Sequence, residues 1–231
     1  MHTRFTCGGC LALLLLVAPL AVAQDSERNR FFVQQMIELA ADGNAQGVDT
    51  MQRMLEQNPK PAATDAEAAR AALRRGQEAL AQDDNTGAAL SAFLQASRDD
   101  PGNLDAFSYL GLSYRKLGQL SDAERALQIA LSLDPSRAVA WFQLAQVYGL
   151  QNDQRRARGA LANTYRYAQN PMRAEEILRS IAETETAEPL RNAALETLRL
   201  YQLPALAVIV PPIPVNPDIQ PLNPPSGARR P

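Results

Sequence analysis

The chain has 231 residues, 46% of them apolar, and a formal net charge of −2. The apolar share supports a folded domain with extensions. The near-neutral balance excludes a general electrostatic pull toward nucleic acid or acidic membranes. The single histidine, His2, and both cysteines, Cys7 and Cys10, lie within the first ten residues.

Residues 1–23 read as a removable export signal. Arg4 and the amino terminus supply positive charge, Leu11 to Val22 is an apolar run broken by Pro19, and Ala21-Val22-Ala23 is a small-residue cleavage site. The run is shorter than the roughly 20 residues a spanning helix needs. An acylated cysteine would follow such a run, and here both cysteines precede it. The expectation is an exported, periplasmic chain starting at Gln24, with no transmembrane span after cleavage. Secretion, or anchoring by an uncleaved segment, remains open. Cleavage leaves no cysteine and no histidine, which excludes thiol nucleophiles, Ser-His-Asp triads and His/Cys zinc sites. No metal or other cofactor is expected.

Residues 24–59 read as a helical pair. Phe31, Phe32, Met36, Ile37 and Leu39 form an apolar face, Gly43-Asn44 marks the turn, and Val48, Met51, Met54 and Leu55 continue to Pro59. A short linker follows. Thr64 and Glu67 have the spacing of a capping box that opens a helix at Asp65. Residues 65–103 then carry Leu73, Leu80, Ala89, Phe93 and Ala96 ahead of Pro101.

Residues 104–137 hold the clearest pattern. Phe107, Leu110 and Tyr114 share one helical face, and Ala123, Leu127 and Ala130 form a second stripe. Gly111 is placed to let the two backbones approach, facing Ala123. Gly118 stands where a helix ends in a left-handed residue. Ser121 and Glu124 have capping-box spacing for the second helix, and Pro135 ends it. Together these residues resemble the tetratricopeptide repeat, a helix–turn–helix unit of 34 residues. The resemblance extends back over 65–103 and forward over 138–171, where Trp141, Leu144, Ala145, Tyr148, Ala157 and Leu161 match and Thr164 replaces the usual alanine. Trp141 at this place reads as core. The implied fold is an all-α solenoid of three repeats, of an exported bacterial type. Residues 24–59 are then a degenerate repeat or N-terminal cap.

Residues 172–202 carry two more helices without the signature and read as the C-terminal helical cap. Residues 203–231 contain nine prolines, with an apolar island at Leu206–Val210 followed by Ile213-Pro214-Val215. Such a proline-rich tail favours extended, polyproline-like structure.

By the resemblance, contacts to a bound segment come from the first helix of each repeat. The matching places give a partner-binding groove of Arg74, Glu78, Ser108, Leu112, Arg115, Lys116, Val139, Phe142 and Gln146, with Gly149 and Leu150 beside them. This groove is basic toward the first two repeats and apolar toward the third. Glu78 and Leu112 stand where chaperone-binding relatives carry asparagine, which argues against that ligand. Arg155, Arg156, Arg158, Arg166 and Arg173 gather near the third repeat. They read either as a site for an anionic partner or as a solvated face paired with local acids. No glycine-rich phosphate loop or carboxylate pair across a cleft is evident, so no catalytic residue is assigned. The expected function is a non-catalytic scaffold of the cell envelope that holds a protein or peptide segment of a larger complex. A homodimer is one arrangement open to so short an array. The alternative is a glycan- or lipid-associated subunit of a polysaccharide export or cell-wall assembly complex.

Overall fold

The computed structural model describes residues 27–82 and 85–204. The export signal, the Asp83-Asp84 turn and the tail beyond Pro204 therefore lie outside the described residues. Ten helices and no strand occur among the described residues. They are α1 (residues 27–41), α2 (Ala45–Glu56), α3 (Ala66–Leu80), α4 (Thr86–Asp99), α5 (Leu104–Lys116), α6 (Leu120–Leu133), α7 (Ala138–Leu150), α8 (Gln154–Arg166), α9 (Pro171–Thr184) and α10 (Glu188–Leu200). Successive helices pack as antiparallel pairs, α3 on α4, α5 on α6, α7 on α8 and α9 on α10. The array is an all-α solenoid.

The local chemistry accounts for the pairing. Gly118 has a φ of +73°, so α5 can end and α6 begin within three residues. Asn152 takes the same role between α7 and α8, at φ +63°. The tight turn makes Gln119 the N-cap of α6, and Ser121 falls inside the first turn; the Ser121–Glu124 box does not form. Asp65 rather than Thr64 caps α3, accepting from the amides of Glu67 and Ala68. The Thr64 hydroxyl instead donates to the Asp99 carbonyl at 2.9 Å and ties the linker to the end of α4. Gly111 packs on Leu127, not on Ala123, because the longer side chain reaches across to its helix. Gly76 meets Phe93 in the same way. It sits one place earlier in its repeat because the α3–α4 turn is longer than the other two.

The core is concentrated at α7. Ala140, Trp141, Leu144, Ala145, Val147 and Tyr148 are all fully buried there. Trp141 is core, as its repeat position implies, and its Nε1 donates to the Pro135 carbonyl at 2.8 Å. A helix this apolar needs cover on most sides. It is covered by α5, α6, α8 and α10.

The first helical pair is not stacked on the open end of α3. It crosses the convex side and joins the core built on α6, α8 and α10. Val33, Met36 and Ile37 of α1 are buried in the same cluster as Leu127, Leu131 and Leu161. Asn163 Nδ2 donates to the Met36 carbonyl at 3.2 Å. A Cβ built on Gly159 runs into the Ile37 carbonyl, so α8 has no room for a side chain at that point. The outward residues of α3 are polar or small (Glu67, Arg70, Arg74, Arg75, Gln77 and Glu78 are exposed), and the array can begin there without a lid.

These contacts separate two glycine substitutions. Gly159→Ala places its methyl against backbone and should cost about 3 kcal/mol of unfolding free energy. Gly87→Ala lies in a helix with nothing within 4 Å and should add about 0.5 kcal/mol. Urea denaturation of the two variants checks both signs.

Candidate binding surface on α7 and α9

Four residues of α7 escape the cover around it. Val139, Phe142, Gln146 and Leu150 fall at i, i+3, i+7 and i+11 and share one helical face. Val139 is 60% exposed and Leu150 54%, with Phe142 and Gln146 half-buried between them. On α5, which touches α7, Ser108, Leu112 and Arg115 form the neighbouring face, and Lys116 is exposed beside them. Arg74 and Glu78 are exposed on α3, at the other end of the array.

The half-buried Arg115 is unusual among these residues. Its Nε is buried without a hydrogen-bond partner, and burial pushes its pKa down.

The last helical pair widens the surface into a cleft. α10, rather than α9, packs most closely on α7 and α8. A Cβ built on Gly149 stands 2.8 Å from Leu190 Cβ, so the glycine admits α10 against the end of α7. Gly149 is thus buried under α10 and is not a groove residue. Tyr201 Oη donates to the Ala162 carbonyl at 3.1 Å, and the Tyr165 and Tyr201 rings lie 4.6 Å apart. With α10 in that place, α9 stands away from α7. Between them opens a cleft of about 410 Å³ with Val139 and Phe142 on one side and Arg173, Ala174 and Ile177 on the other. Tyr167 lines its base and donates to Gln52 Oε1 at 2.8 Å. Burial raises its phenol to about 12, so it remains a neutral donor. Val139 and Phe142 were both legible in the sequence. The α9 wall was not, since nothing in the repeat pattern shows which helix of the last pair will dock. Gly149 was the available signal.

The arginines near the third repeat are not a free basic patch. Arg155 forks onto Asp42 at 2.9 and 3.0 Å and also donates to Glu38 at 2.8 Å. Arg166 pairs with Asp49. Arg158 pairs with Glu196 at 3.0 Å and lies 3.9 Å from Asp42. Arg156 joins Asp153 and Glu124 and sits 4.6 Å over the Tyr148 ring. Only Arg156 and Arg173 use acids of their own neighbourhood in sequence, Asp153 and Glu176. The others hold α1, α2 and α10 onto α8. The arginines are therefore paired rather than free, and the locally paired reading holds for Arg156 and Arg173 but not for Arg155, Arg158 and Arg166.

The carboxylates that shift in this region move downward. The Arg155 guanidinium holds the Asp42 carboxyl below its ordinary range. At Asp153, burial works the other way but is outweighed by the Arg156 amide and guanidinium. No group of three or more His, Cys, Asp or Glu residues with metal-binding geometry occurs among the described residues. No described helix is long and apolar enough to cross a membrane.

The fold and this exposed helix face define a helical-repeat scaffold whose chemistry is contact with another chain. The family model described as tetratricopeptide repeat matches residues 104–147, so α5, α6 and most of α7 carry a tetratricopeptide repeat. No curated protein matches the chain. Among solved structures it is similar to the MamA protein at 19% identity and a TM-score of 0.47, over 76% of this chain and 93% of that one. A second MamA structure matches at 20% identity and a TM-score of 0.47, over 71% and 92%. A mutant O-GlcNAc transferase of Thermobaculum terrenum matches at 24% identity and a TM-score of 0.46, over 59% of this chain and 27% of the transferase.

The Asp42 shift has a testable sign. A carboxylate held below its unfolded value contributes stability that is complete above about pH 4 and is lost as pH falls through the folded value. The α1–α8 clamp should therefore weaken only in acid. In Arg155→Gln the Asp42 pKa should rise toward the ordinary carboxylate value, and the acid limb of the thermal stability curve should flatten. Carboxyl NMR titration and melting curves between pH 2.5 and 6 read the two effects.

Proposed function

We propose that this protein is a non-catalytic scaffold of the cell envelope that holds a segment of a partner protein along the exposed face of α7 and the adjoining cleft. The observation that carries the reading is an open apolar stripe on α7, a helix that is otherwise largely buried. α7 is sheathed on its other sides, yet Val139 and Leu150 stay more than half exposed with Phe142 between them. Contiguous apolar surface of this kind favours a binding role over solvation. Arg115 on α5, half-buried beside the stripe, adds a positive charge at its edge. A segment with apolar side chains at helical or alternating spacing and one carboxylate near its end would satisfy both. The envelope location draws its support from the sequence of residues 1–23 alone.

The glycan- or lipid-associated alternative predicts an arginine cluster exposed on one contiguous patch. Arg155, Arg158 and Arg166 are paired with Glu38, Asp42, Asp49 and Glu196, which favours the protein-segment reading over it.

Affinity capture from the protein's own envelope extract tests the binding reading. Wild type should retain a partner that Val139→Asp/Leu150→Asp loses by at least about tenfold, a penalty on the order of 1.4 kcal/mol. Arg75→Glu, on the exposed face of α3, should capture as wild type does. Equal capture by all three proteins, each with an unchanged circular dichroism spectrum, would contradict the assignment.

A further inference from the structure

The floor of the cleft between α7 and α9 is held from behind by α2. We propose that Gln52, through its bond to Tyr167, sets what this cleft accepts: a large apolar side chain of the partner segment, packed on the Tyr167 ring. This rests on the binding reading above and narrows it to one kind of anchor.

α2 turns one face to the end of α8. Asp49, Gln52 and Glu56 fall at i, i+3 and i+7 and share that side of the helix. Arg166, the last residue of α8, pairs with Asp49 and donates to the Ala45 carbonyl at 3.4 Å. Tyr167, the next residue, donates its hydroxyl to Gln52 Oε1 at 2.8 Å. The Gln52 amide is itself fixed. Its Nε2 donates to Glu56 Oε1 at 2.7 Å, which leaves Oε1 for the phenol. A chain of hydrogen bonds thus runs from the surface of α2 to the floor of the cleft. The turn after Tyr167 leads into α9 at Pro171, so the same contacts bear on the second wall.

These bonds decide which groups the cleft has to offer. A phenol has one proton to give, and Tyr167 gives it to Gln52, which does not line the cleft. Thr164 Oγ1 donates to the Ala160 carbonyl at 2.9 Å, and Asn170 Oδ1 accepts from the Arg173 amide at 3.1 Å. Arg137 pairs with Asp105 and Arg173 with Glu176, while Gln169 stands exposed. The apolar lining is Val139, Phe142, Ala174 and Ile177, with the Tyr167 ring at the base. A polar side chain brought to this base would lose water and meet no donor from the phenol or from Thr164. An apolar side chain avoids that cost and buries its surface. Gln52 is therefore a positioning residue: it holds the ring that the partner touches.

The test uses the full chain and a phage-displayed library of random twelve-residue peptides. Peptides that wild type selects and Val139→Asp/Leu150→Asp loses should each carry a large apolar anchor. Their affinity should fall about fivefold in Gln52→Leu and in Tyr167→Phe, each with the wild-type circular dichroism spectrum. The double variant should be no worse than either single one, because both changes remove the same bond. Selection on Gln52→Leu should also admit Asn or Gln at the anchor, since the freed phenol can then donate into the cleft. A loss in Tyr167→Phe alone, additive losses, unchanged affinity in both variants, or polar anchors selected by wild type would each overturn the proposal. Tyrosine carrying carbon-13 at Cζ gives a second readout that needs no peptide. The Tyr167 signal, identified by its loss in Tyr167→Phe, should move in Gln52→Leu, and an unmoved signal would overturn the proposal as well. A moved signal in a protein whose α7 stripe selects no peptide would remove the binding reading and leave the Gln52–Tyr167 link standing. Peptides lost with the α7 stripe but indifferent to Gln52 would do the reverse.

Discussion

The architecture depends on one close approach, α1 against α8 at Gly159. An alanine there would meet the Ile37 carbonyl, and the helices would be forced apart along their whole contact. Because the position is open, Val33, Met36 and Ile37 enter the same core as Trp141 and Leu161. Burial supplies the driving force, and the ion pairs around it set the orientation. Arg155 and Arg166 are partly exposed, so each pair adds little stability alone. Their value is in register: Arg155 reaches Glu38 and Asp42, and Arg166 reaches Asp49, only when α1 lies antiparallel to α8 in this one alignment.

That use of the convex side decides what is left for function. α8 is occupied by α1, α2 and α10, its arginines are spent, and the ends of the array present polar faces. α7 sits under this assembly with a single open stripe, and Gly149 lets α10 push α9 aside so that the stripe broadens into a cleft. The same constraint thus closes one face of the solenoid and opens another. A short array that covers its own convex surface has its concave side free for a partner.

The repeat itself was legible because its residues act locally. Phe107, Leu110 and Tyr114 set a helical face, Gly118 sets a turn, and Pro135 stops a helix, all within one 34-residue window. Val139 and Phe142 were legible as surface candidates for the same reason. The placement of α1–α2 was not. Its determinants are Gly159 and Arg155, more than a hundred residues away from Ile37 and Asp42, and neither departs from what a repeat tolerates at its position. Capping was misread at Ser121 and Thr64 because a competing acceptor or a tighter turn took the role. The partners of Arg155, Arg158 and Arg166 were not legible because their acids lie at α1, α2 and α10, which only tertiary packing brings near.

The central claim is that the open face of α7, with the α9 wall beside it, is where another chain is held. Hydrogen exchange on the protein with and without its captured partner tests this most directly. The account predicts slowed exchange at residues 138–150 and 171–177, with α3 and α4 unchanged. Protection confined to α3–α4, or to the convex helices α1 and α8, would contradict it.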